Sequence, residues 1–196
     1  MTVDRLEPLD KQRSKVFVDG DFAFVLYRGE IRRYHLEEGA ELSEALYREI
    51  LGEVLPKRAK ERALHYIERQ PRTTWETAKK LRESLYPEEI IRKTLDFLCR
   101  YHYLDDEAYV RNYLDVGGMK KSRAEVFQFL SRKGIPRELM KTVYEEACPD
   151  TKEAIRRILI KRRYDPESAT EEEKRKTAAY LIRRGFSYDE VSECLT

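Results

Sequence analysis

The sequence predicts a mostly α fold: an elongated array of three tandem three-helix repeats, helix-turn-helix-like, behind a small N-terminal β-hairpin or meander module. Three observations predict it. A helix-ending pattern occurs three times, as Leu81-Arg82-Glu83-Ser84-Leu85-Tyr86, Leu130-Ser131-Arg132-Lys133-Gly134-Ile135 and Leu181-Ile182-Arg183-Arg184-Gly185-Phe186. The leading leucines are 49 and 51 residues apart, a period that marks similar units, each too small to bury its own core. The apolar spacing also changes from strand-like to helical near Ser43. Helix-start signals recur at matching places. The expected divisions are an N-terminal module over 1–55 and repeats over 56–104, 105–149 and 150–196.

Lys15 to Val18 and Asp21 to Tyr27 read as two strands around Asp19-Gly20, a strong hairpin signal. Arg28-Gly29-Glu30 turns again, and a third strand is expected over Ile31 to Leu36. From Ser43, an apolar stripe through Leu46, Ile50 and Leu51 predicts a helix. Pro56 suits the first turn of the next, which continues through Ala63, Leu64, Tyr66 and Ile67 to about Arg69.

Thr73-x-x-Glu76, Thr170-x-x-Glu173 and Ser187-x-x-Glu190 fit the capping box, with Asp150-x-x-Glu153 a variant. Asp105 is expected to cap the helix after Leu104. Pro87 and Pro136 each open a helix shortly after a repeat signature. Helix ends are marked by Gly134 and Gly185 at a left-handed C′ position. Ile135 and Phe186 follow at the spacing of the Schellman apolar contact with Leu130 and Leu181. In the first copy Leu85 replaces glycine, and a left-handed leucine costs roughly 1 kcal/mol or more, so a different ending is expected there. Ten residues past each leading leucine lie Ile91, Met140 and Val191, and fourteen past lie Leu95, Tyr144 and Leu195. With helices at about 58–69, 106–116 and 151–163 ahead of the caps, each unit has three.

The chain has 196 residues, 39% charged and 41% hydrophobic, with a net charge of only +2. That balance suits solvated helices and argues against attachment to nucleic acid by bulk charge alone. Residues 1–55 carry 8 Lys/Arg against 12 Asp/Glu, and residues 56–104 carry 12 against 7. Cys99, Cys148 and Cys194 are scattered, with no CxxC pair, so neither a disulfide framework nor a zinc site is expected. No signal peptide or membrane span is read, and a reducing cytoplasm is the default.

Catalytic motifs are missing. His35, His65 and His102 are far apart, outside any HExxH or Ser/His/Asp pattern, and read as structural or surface residues. Gly117 to Ser122 lacks the spacing of a phosphate loop and does not follow a strand; it reads as a loop between helices. Trp75 and the group Tyr101, Tyr103, Tyr109 and Tyr113 could stack on single-stranded nucleic acid or fill a core and its rim. The basic residues recur just before each cap, at Arg82, Arg132/Lys133 and Arg183/Arg184. Such an edge could follow a phosphate backbone or a periodic protein partner. The candidate partner-binding residues are Arg123, Arg132, Lys133, Arg156, Arg157, Arg162, Arg163, Arg183 and Arg184.

Ala63-Leu64-x-Tyr66-Ile67, Arg72-Thr73-x-x-Glu76, Tyr103-Leu104-Asp105-Asp106-x-x-Tyr109-Val110 and Leu130-x-x-Lys133-Gly134-Ile135 occur in that order. In these segments the chain resembles the RecX family over about residues 59–196. The N-terminal hairpin and the acidic segment look like the extension of longer members. The resemblance implies a regulator that binds filaments of RecA on single-stranded DNA. It would inhibit recombinase, ATPase and co-protease activity, and so act in DNA repair and SOS control. It also implies no catalysis and no cofactor. The expected partner is therefore the RecA filament, with weak single- or double-stranded DNA binding possible, no membrane, and a monomeric chain. Alternatives are a direct DNA-binding helical module and a non-catalytic scaffold for another protein.

Overall fold

The computed structural model describes residues 1–147 and 150–195. Cys148, one of the three cysteines, lies outside them. The chain divides into two compact units, Met1–Leu104 and the part from Asp105 onward.

The first unit begins with an antiparallel sheet of β1 (Val3–Pro8), β2 (Arg13–Val18) and β3 (Asp21–Tyr27), in the order β1-β2-β3. Asp19 and Gly20 form the hairpin turn with φ of 49° and 91°, the double positive φ that joins twisted strands without splaying them. The third strand is not at Ile31–Leu36 but at Val3–Pro8, and α1 (Arg28–Arg33) occupies much of the expected stretch. Glu30 explains the helix. Its carboxylate accepts from the Tyr27 N–H at 2.7 Å and pairs with Arg58 at 2.9 Å, which closes the first turn onto the body of the unit. β1 gave little warning because it is an edge strand with only Val3 buried, so apolar alternation is weak.

Helix α2 (Glu44–Glu49) runs through a π turn (Ile50–Val54) into α3 (Leu55–Glu68) without a break. Pro56 has no N–H for the carbonyl four residues back, and its ring crowds that group. The wider turn resolves this by letting the Leu55 N–H reach the Ile50 carbonyl, one residue further than in an α-helix. Helices α4 (Thr74–Glu83) and α5 (Glu88–Arg100) follow. One apolar core joins the sheet, through Val16, Phe24 and Leu26, to the helices, through Ile50, Leu55, Leu81, Ile91 and Leu98.

The second unit holds α6 (Asp106–Val116), a short 3-10 turn (Gly118–Lys120), α7 (Arg123–Arg132), α8 (Arg137–Ala147), α9 (Thr151–Lys161), α10 (Glu171–Arg183) and α11 (Tyr188–Leu195). Val110, Leu114, Val126, Leu130, Ile135, Met140, Val143 and Tyr144 make one core. Ala154, Ile155, Leu159, Leu181, Phe186, Val191 and Leu195 make a second. Tyr109 and Tyr113 pack against the first of these cores. Tyr101 and Tyr103, in the other unit, are exposed, so the tyrosine group divides between rim and surface.

All three repeat signatures close in the same way. The N–H groups of Tyr86, Ile135 and Phe186 donate to the carbonyls of Leu81, Leu130 and Leu181 at 3.3, 3.1 and 3.3 Å. Leu85 does not change the ending: it adopts φ 62°, beside 74° for Gly134 and 91° for Gly185. The expected capping boxes of Thr73 and Thr170 are present. Ser187 and Glu190 exchange the same pair of bonds, and Asp105 and Asp150 cap α6 and α9. A further box at Ser122 and Glu125 was missed by the sequence reading, although Ser-x-x-Glu stood in plain view.

Candidate partner-binding surface

All nine arginine and lysine candidates belong to the second unit, and they divide by what each side chain already holds. Arg184 follows α10 and is the most engaged. Its Nε and Nη2 donate to Glu125 Oε1 at 3.2 and 2.6 Å, and its Nη1 to the Tyr180 hydroxyl at 3.2 Å. The Arg184 carbonyl accepts from the Ser122 hydroxyl. Next to it, a Cβ on Gly185 would fall 2.1 Å from that of Ala124, so only glycine allows this approach.

Glu125 has two tasks there. One oxygen takes the Ser122 N–H at 3.1 Å in the capping box of α7, and the other takes Arg184. Burial opposes its ionisation, but the bonds from Arg184 and Ser122 outweigh that and hold its carboxyl below the usual range. The N-terminus of α7 is thus the dock for the cap that ends α10. Arg184 acts first as an internal fastener.

Three other candidates are partly committed. Arg157 pairs with Glu153 at 2.8 Å along α9. Arg123, at the start of α7, lies 3.5 Å from Glu145 and over the rings of Phe127 and Tyr144 at 5.0 and 5.6 Å. Arg162 lies 4.3 Å over the ring of Tyr180, which Arg184 approaches at 5.8 Å from its own helix end. Tyr180 therefore gathers two of the candidates.

Lys133, just past the end of α7, lies 5.9 Å from the Phe129 ring. Arg132, Arg156, Arg163 and Arg183 are exposed, and none forms an ion pair among the described residues. Arg163 is displayed by strain, at the left-handed position ending α9 with φ 55°. It lines a shallow hollow of about 360 Å³ with Arg162 and Lys176. Arg132 and Arg184 stand at opposite ends of α7, a 10-residue helix and so about 15 Å long. The basic edge therefore presents separate groups of cations.

Sequence reasoning passed over Arg137 and Lys141, four residues apart on α8. With Arg123, Phe127 and Gly185 they line an open groove of about 660 Å³. Their spacing on one helix face was the available signal. Outside the second unit, Arg82 is occupied by a two-pronged pair with Glu88 at 2.6 and 2.9 Å. Trp75 is exposed, with Lys79 5.5 Å from its ring. Among the described residues, no three His, Cys, Asp or Glu are placed to hold a metal ion. No described helix is long and apolar enough to cross a membrane.

Comparison with known proteins supplies the context for this surface. Residues 59–98 match the family model described as RecX, first three-helix domain, and residues 150–195 match RecX, third three-helix domain. Regulatory protein RecX of Clostridium acetobutylicum is 27% identical over 99% of this chain and 94% of its own length. That of Caldanaerobacter subterraneus subsp. tengcongensis is 26% identical over 100% and 98%, and that of Bacillus subtilis is 26% identical over 94% and 71%. A crystal structure of regulatory protein RecX superposes with a TM-score of 0.66, at 26% identity and 98% coverage of both chains. The RecX of Lactobacillus salivarius shares the fold, with a TM-score of 0.62 over 72% of this chain. The three-helix pattern, the repeated caps and these similarities converge on one assignment: the chain belongs to the RecX family of regulatory proteins.

Proposed function

We propose that this chain is a cytoplasmic, non-catalytic and monomeric regulator of the RecA recombinase. In this reading it binds RecA filaments on single-stranded DNA, limits their extension or favours their disassembly, and so damps ATPase, strand exchange and the co-protease activity behind the SOS response. The observation that carries it is the set of exposed arginines without an ion pair among the described residues, Arg132, Arg156, Arg163 and Arg183, on a chain of this family. Holding an arginine in a left-handed cap, as at Arg163, makes sense if its display matters to a partner. In the same reading the recognition units are the repeats 56–104, 105–149 and 150–196, behind a docking or capping module at 1–55. A protein that contacts more than one protomer prefers the filament to free recombinase, and that difference in affinity shifts assembly.

Substoichiometric addition to RecA on single-stranded DNA should lower its ATPase rate. The charge-reversed variant Arg132→Glu/Arg156→Glu/Arg163→Glu/Arg183→Glu should fail to do so while keeping its helical circular dichroism. An unchanged rate with the parent protein would sink the proposal. Direct DNA binding is separated from it by fluorescence anisotropy without RecA. Tight binding that falls steeply with salt would favour that alternative.

A further inference from the structure

The groove between α7 and α8 differs from the rest of the basic surface in shape and in lining. Arg123, Ala124 and Phe127 come from α7, Arg137, Glu138 and Lys141 from α8, and Gly185 from the cap that ends α10. All of them belong to the second unit. At about 660 Å³ the groove falls within the range of about 300–1,000 Å³ usual for ligand clefts. Its wall sets three cations against one carboxylate. Arg137 and Lys141 are exposed and form no ion pair among the described residues. Arg123 is held loosely, 3.5 Å from Glu145, and both side chains are half exposed. Like charges gathered around one space repel, and an anionic occupant relieves that repulsion.

The cations surround an apolar strip. Phe127 is partly buried and Ala124 is exposed, and Gly185, closely approached by Ala124, brings no side chain to fill the space. An occupant of charge alone leaves this strip in water, whereas one with an apolar side chain covers it. Nucleic acid suits the groove less well. The Phe127 ring meets the Tyr144 ring at 77° with centroids 5.7 Å apart, and Arg123 lies over it at 5.0 Å. That face is not free for a base to stack on. Glu138 repels a phosphate chain, but its carboxylate can accept the N–H groups of a peptide backbone.

We propose that this groove docks an acidic segment of a partner protein. Its carboxylates reach Arg123, Arg137 and Lys141, and one large apolar side chain lies on Phe127 and Ala124. The inference rests on the reading above only in taking the partner to be a protein. It adds a contact that the four exposed arginines do not make.

The test is fluorescence anisotropy with the whole chain and no RecA. The probe is a short fluorescein-labelled peptide with Asp on both sides of one central Phe. It should bind saturably at low salt, and replacing its Phe by Ala should weaken binding about tenfold. Arg137→Glu/Lys141→Glu should weaken it at least about tenfold. Lys57→Glu/Arg92→Glu, equal in net charge but in the first unit, should leave it unchanged. All four substituted side chains are exposed, and helical circular dichroism checks that both variants fold. Oligothymidylate of the same charge should bind less tightly than the peptide. The proposal is overturned by no peptide binding, by equal binding of the Ala peptide, or by equal losses in the two variants. Tighter binding of the oligonucleotide, lost in Arg137→Glu/Lys141→Glu, overturns it too. Failure here leaves the ATPase effect standing, and loss of that effect leaves the peptide titration standing, so the two readings fail separately.

Discussion

The first and third repeats end their middle helices with the same backbone bonds, yet one uses Leu85 and the other Gly185. Tyr86 and Phe186 each donate to a leucine carbonyl at 3.3 Å, and both cap residues have positive φ. The difference lies in what surrounds the Cα. At Gly185 the place of a Cβ is taken by Ala124, 2.1 Å away. Leu85 is half-buried and lines a small space beside Arg58 and Arg62. A positive φ tolerates leucine at a cost of about 1–2 kcal/mol, whereas a backbone packed against another helix tolerates nothing. Glycine at a cap thus answers two separate demands, and only the second is absolute.

The comparison can be broken at its shared foundation first. Leu81→Ala and Leu181→Ala each remove a fully buried side chain. Each should lower stability by about 2–5 kcal/mol in urea titrations followed by circular dichroism. A much smaller loss in either would mean that the two caps do not rest on equivalent cores. Next is Gly185→Ala, which combines left-handed strain with the overlap on Ala124. It should cost more than about 2 kcal/mol and lengthen the Arg184–Glu125 contact in a crystal structure of the variant. Tolerance of alanine there would undo the close-approach argument. Leu85→Gly relieves strain while removing a half-buried side chain, so its net effect in the same titration should stay within about 1 kcal/mol.

The smallest effect concerns pH. The Glu125 carboxyl lies below its ordinary value of 4.5 in the folded chain, so its contribution is complete above that value. It is lost as pH falls through the lower, folded value. Glu125→Gln should therefore flatten the acid limb of the stability profile below about pH 4.5 and leave its shape near neutrality unchanged. An acid limb identical to the parent's would show that Arg184 and Glu125 are not coupled.

Local signals account for much of what was readable in advance. The Asp19-Gly20 turn, the Thr73 and Thr170 boxes and the caps at Gly134 and Gly185 depend on contacts within a few residues, and all are present. The unread parts depend on distant partners. Ile31–Leu36 has enough apolar and aromatic residues for a strand. It is partly helical because Glu30 is held by Arg58, 28 positions away. The π turn ahead of Pro56 arises from a conflict between proline and a helix that the unit's core keeps continuous. For the candidate surface, sequence could name basic residues and their recurrence. It could not separate Arg184, bound to a glutamate 59 positions back, from Arg183 beside it.

Taken alone, the sequence determined the helical class, the helix endings at Gly134 and Gly185 and the places where most helices start. Propensity, capping and turn geometry act over four or five residues, and every copy carries its own instructions. Only the tertiary structure decided which strand completes the sheet, which arginines are spent on internal fastening, and that Leu85 takes the left-handed cap position. Those outcomes turn on charge pairing and close approach between residues far apart in the chain, where a pattern reports residue type but not distance.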